Sequence, residues 1–168
     1  MDYELKRLDG RDLTEALALA AHYRALNQPE QAESICLDVL DAEPDHQDGL
    51  RILGLALTDQ FDGPAPLRLD EALMVFKKIR DGYQRVYYTG VAWERHAKAK
   101  LERGEGLGAL HSFERALECF GQAEVLGPAR TPDPILHWNR CVRALRSHPL
   151  LHEARRHPAH DDDSRFGD

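Results

Sequence analysis

The sequence has no long hydrophobic run. Its longest unbroken apolar stretch is Ala16 to Ala21, far short of the roughly 20 residues that cross a bilayer, so no membrane span is expected. Basic residues are in the minority: 22 Lys and Arg face 29 Asp and Glu, a formal charge of −7. A broad electrostatic grip on nucleic acid or an anionic membrane is therefore disfavoured, and neither is expected as a partner. Cysteine is scarce as well. Cys36, Cys119 and Cys141 are odd in number and widely spaced, each inside a helical pattern. They read as reduced, buried thiols rather than a disulfide or zinc framework. The opening Met1-Asp2-Tyr3-Glu4-Leu5-Lys6-Arg7 has no apolar stretch behind a basic end, so a secretory signal is not expected and a cytoplasmic location is.

The common signatures of catalysis are missing too. There is no Gly-x-Ser-x-Gly, and the sequence assigns no Cys or Ser a His partner to act as its base. The one Glu-x-x-His, Glu43-Pro44-Asp45-His46, falls in a proline turn rather than on a helix. Gly104-Glu105-Gly106-Leu107-Gly108 lacks the spacing of a dinucleotide fingerprint and the Gly-Lys-Ser/Thr ending of a P-loop, and reads as a hinge. The expectation is a non-enzymatic protein with no catalytic residues, no cofactor and no metal site in its folded part.

What is present is helical periodicity with turn signals between helices. Leu13, Ala16, Leu17, Leu19, Ala20 and Tyr23 recur at steps of three and four from Asp12 to Ala25, with Asp12 and Glu15 in capping-box spacing. Asn27-Gln28-Pro29 ends that helix and starts one carrying Ala32, Ile35, Cys36, Val39 and Leu40, which stops before Pro44. So short a connection makes the two antiparallel. A second pair covers Asp45–Gln60 and about Leu69–Arg80, and a third about Tyr83–Arg103 and Leu107–Leu126. A last helix is expected from an Asp133 N-cap and Pro134 to about Arg146.

The recurrence resembles the tetratricopeptide repeat (TPR) family, whose unit is a 34-residue helix-turn-helix. Leu19, Ala20, Tyr23, Ala32 and Pro44 keep that family's spacing in the first unit. Leu53, Gly54, Ala72 and Phe76 match in the second once about six residues are added to the intervening loop. Gly90, Trp93, Ala116, Phe120, Ala123 and Pro128 match in the third with about fourteen additional residues, roughly two extra turns on each helix. Trp138, Asn139 and Cys141 place the last helix near a terminal cap. The resemblance implies an all-α fold of antiparallel helix pairs in a right-handed superhelical solenoid. Its parts would be an N-terminal extension at 1–11, a TPR-like domain at 12–147 and a His- and Asp-rich disordered tail at 148–168.

By the same resemblance, the first helix of each pair lines a concave groove that holds a peptide or protein segment. The corresponding residues are Leu17, Arg24, Arg51, Leu55, Tyr87, Val91, Glu94, Lys98 and Trp138, with Arg51, Tyr87 and Trp138 as anchors. Tyr87 and Trp138 would equally serve as core filling between helices. Leu17, Ala21 and Ile52 stand where the family's carboxylate clamp has Lys and Asn, so a chaperone-tail clamp is not implied. Arg24, Arg51 and Lys98 suggest a ligand with apolar anchors and some negative charge, unless they are ordinary solvated cations. The function implied is a protein–protein interaction adaptor, with a homodimer also open. Two alternatives remain: a secretion-type chaperone for a client protein, and a metal-handling protein using His148, His152, His157, His160 and Asp161 to Asp163. Leu150 and Leu151 of that tail could instead dock into a groove.

Overall fold

In the computed structural model, which describes residues 3–62, 68–128 and 131–156, helices start and stop where turn-favouring residues fall. A 3-10 turn, Gly10–Asp12, leads into α1, Leu13–Ala25. Asn27 takes a left-handed φ of 57° and Pro29 opens α2, Pro29–Ala42, the place in a helix that proline tolerates best. The imidazole of His46 accepts a hydrogen bond from the Gly49 amide at 3.3 Å and caps α3, Gln47–Asp59. α4 spans Leu69–Lys77. Asp81 accepts from the Gln84 amide at 2.7 Å and caps α5, Gly82–Glu102. Gly104, at φ +74°, turns the chain into α6, Gly106–Leu126, and α7 and α8 are Asp133–Ser147 and Pro149–Arg156. The described residues are all-helical, and none of their helices is long and apolar enough to cross a membrane.

Each helix packs on the next from α1 to α7, and α1 also touches α3, α3 touches α5 and α5 touches α7. The odd-numbered helices therefore make one layer. Close approach depends on residues with little side chain. Ala20, Ala32, Ala72 and Ala116 are wholly buried. A Cβ on Gly54 would lie 2.2 Å from the ring of Phe76, and one on Gly90 would lie 2.8 Å from Phe120. The same small-against-large contact thus recurs in the second and third pairs, and it lets two backbones approach while a phenyl ring fills the gap. α5 and α6 run to 21 residues each, against 13 and 14 for α1 and α2.

Several local expectations are corrected. The capping box of Asp12 does not form. Asp12 is helical in backbone, and Asp9 caps the turn instead by accepting from the Arg11 amide at 2.9 Å. Asp133 is the first residue of α7 rather than its cap, a place taken by Pro132 with no side-chain bond. Leu19 points outward at 45% exposure, because Leu13, Leu17 and Ala20 already fix the buried face of α1. Phe61 lies in the turn after α3, as the loop there implies, and its ring is buried. The disordered tail expected from 148 is a helix through Arg156: Leu151 is wholly buried and Leu150 lies against Gly106 at the start of α6. The docked alternative for these leucines is the one found. His157, His160 and Asp161 to Asp163 lie outside the described residues.

Candidate functional site

On the layer of odd-numbered helices lies an open hollow of about 520 Å³. α1 contributes Ala21, Arg24 and Ala25, α3 contributes Thr58 and Asp59, and α5 contributes Arg95, Lys98 and Glu102, with Asn27 and Asp62 from the turns. The α5 residues stand one and two turns apart, so they line one edge of that helix. Asp59 sits at the centre. It accepts from Arg24 Nε at 2.6 Å and from Arg95 Nη1 at 2.5 Å, so one carboxylate joins three helices. Arg95 Nη1 also donates to the Thr58 hydroxyl at 2.6 Å. Burial draws the Arg95 guanidinium below its ordinary pKa, against the pull of Asp59. Lys98 is freer, with its side chain 45% exposed and its Nζ 3.6 Å from Glu94. Three cations and three carboxylates line the hollow. It is polar and balanced in charge rather than a basic strip.

The nine residues expected in the groove do not converge there. Arg24 and Lys98 line the hollow, but Leu17, Leu55 and Val91 are buried in the core. Arg51 pairs with Asp48 one turn earlier in α3, at 2.9 Å. Tyr87 is packed among aromatic rings, with centroids 5.1 Å from Tyr88 and 5.5 Å from His137. Burial there pushes its phenol up to about 12. Trp138 is 39% exposed and lies over Gly121 on a different face. The hollow also takes Arg95 and Glu102, which the expected groove does not include and which share an α5 edge with Lys98 at helical spacing.

Glu94 is the largest departure. It has no exposed surface. Its carboxylate accepts from His137 Nδ1 at 2.6 Å and from Arg140 Nη2 at 2.7 Å, with Arg140 Nε also donating. Burial alone would raise its pKa. The hydrogen bonds from His137 and Arg140 and the charges of Lys98 and Arg140 outweigh it, holding the carboxyl down at about 2. Glu94 is thus a latch between α5 and α7, not a groove residue.

Burial pushes the Cys36 and Cys141 thiols up to about 12, so neither supplies a thiolate at neutral pH. Among the described residues no group of three or more His, Cys, Asp and Glu side chains is placed to hold a metal ion. Comparison of the chain with protein-family models, with curated proteins and with solved structures found no match.

Proposed function

We propose that the chain is a non-enzymatic adaptor of TPR type, in which helix pairs stack as a right-handed superhelix and a segment of another protein lies across the hollow. The observation that carries this reading is the open face shared by α1, α3 and α5, where Lys98, Glu102 and Asp62 stand at the rim of an already ordered framework. The Asp59 ion pairs hold that framework before any ligand arrives, so the ligand's own ordering is the main cost of binding. The successive Gly54–Phe76 and Gly90–Phe120 contacts support the repeat reading. Balanced charge at the rim favours a polar segment with charges of both signs, such as an extended peptide carrying a carboxylate opposite Lys98 and a cation opposite Glu102.

The test compares proteins captured by the wild-type chain with those captured by an Ala21→Trp variant, which fills the hollow, and by Lys98→Glu with Glu102→Lys. All three are quantified by mass spectrometry after circular dichroism shows unchanged helicity. The expected result is a partner held by the wild type and lost by both variants. Identical capture by all three would refute the hollow as the binding site.

A further inference from the structure

A second surface lies on the outer side of α6 beside α7. There a trough of about 880 Å³ is lined by Glu114, Leu117, Glu118, Gly121, Val125 and Trp138. α8, the next helix in sequence, does not cover it, because α8 docks at the other end of α6, against Gly106 and Leu107. The floor is left open, with Val125 85% and Leu126 56% exposed, and Trp138 is bared beside them. Trp138 is the α7 residue that lines the trough, and Ile135, Val142 and Arg146 share its face of that helix by spacing. Its opposite flank, His137 and Arg140, is turned to Glu94 on α5.

The charges on this face are arranged in two halves. Glu114 on α6 and Arg146 on α7 are both exposed, and neither has an ion-pair partner among the described residues. Their heights along the trough correspond. α6 and α7 run antiparallel, with Gly121 against Trp138 and Phe120 stacked on His137. Counted from that contact at about 1.5 Å per residue, Glu114 lies about 11 Å and Arg146 about 12 Å toward the same end. A two-fold axis parallel to these helices keeps every residue at its own height. It would set α6 of one copy against α7 of the other, Trp138 over the partner copy's Gly121, and Glu114 beside the partner copy's Arg146, twice by symmetry.

We propose that this face is the interface of a homodimer, with a second copy of the chain as the occupant of the trough. Acid on one helix and base on the other make the surface complementary to itself, and the bared Trp138, Val125 and Leu126 supply an apolar centre of the kind that anchors interfaces. The proposal is independent of peptide binding in the hollow, with which the trough shares no lining residue.

Sedimentation equilibrium of the full chain, from micromolar to several hundred micromolar, tests it. A reversible dimer is expected, weakened about tenfold or more by Glu114→Arg alone and by Arg146→Glu alone, since each puts like charges at both symmetric contacts. Mixing the two variants in equal amounts should restore association. The mixed dimer pairs native Glu114 with native Arg146 at one contact and the two reversed residues at the other. In a Trp93→Phe background, the emission of Trp138 should shift to shorter wavelength as the dimer forms. A chain that is monomeric throughout the range overturns the proposal, as does a dimer insensitive to either reversal or one that the mixture fails to restore. Circular dichroism of each variant separates loss of association from loss of fold.

Discussion

Replacing Glu94 with Gln tests whether a buried carboxylate holds α7 onto the rest of the molecule. The native group is held at about 2 from an ordinary 4.5, and at about 1.4 kcal/mol per pKa unit this difference corresponds to about 3–4 kcal/mol favouring the ionised form in the folded state. Removing one member of a buried ion pair costs about 3–5 kcal/mol when its partners stay buried. Arg140 is half exposed here and can rehydrate, so the expected loss for Glu94→Gln is about 2–3 kcal/mol. Urea unfolding at neutral pH measures it directly. The pH dependence provides a second check. A carboxyl whose folded pKa is depressed adds stability that is complete above its unfolded value of 4.5 and is lost as pH falls from there toward 2. The wild type should therefore lose stability across that window more steeply than Glu94→Gln. A variant within about 0.5 kcal/mol of wild type, with the same acid slope, would refute the latch.

The remaining expectations concern the turn, the pH window and the core of the third pair. Burial draws the His96 imidazole down to about 4 from 6.5, so its neutral form is favoured in the fold. The stability this lends is present above 6.5 and lost as pH falls toward 4, a step above the Glu94 window that His96→Asn should remove from urea titrations. The Ser112 hydroxyl donates to the Gly108 carbonyl at 2.8 Å, so His96 Nδ1, 2.8 Å from the same oxygen, must carry a hydrogen. The Nδ1–H tautomer is therefore expected in nitrogen-edited NMR above pH 7. Gly104→Ala meets no neighbouring atom but must keep φ at +74°, so it should lower stability by about 1 kcal/mol in thermal unfolding, although alanine is the better helix former.

Much of the helix order was legible because it rests on local signals. Pro29, Pro44 and the Gly104 turn mark boundaries that depend only on neighbouring residues, and the apolar spacing between them predicts helix spans close to those observed. The site was less legible because its determinants are distant. Glu94 looks like a solvated charge on α5 until His137 and Arg140, 43 and 46 residues later, are folded against it. Arg24 and Arg51 read alike in sequence, yet one meets Asp59 in another helix and the other meets Asp48 in its own. The helix at Pro149–Arg156 was hidden by the polar composition around it, since a single buried leucine, Leu151, and its contact with α6 fix its place.

The closeness of α3 and α4, the two helices of the second pair, can be measured at one atom by the unfolding free energy of Gly54→Ala. Helix propensity alone favours alanine by about 1 kcal/mol. The added methyl, however, would sit 2.2 Å from the wholly buried ring of Phe76, which has nowhere to move. The expected result is destabilisation of about 1–3 kcal/mol, partly reversed when Phe76→Leu is added. Stabilisation by the alanine, or a loss that the leucine does not relieve, would contradict the packing of a small residue against a large one that sets how closely α3 and α4 approach.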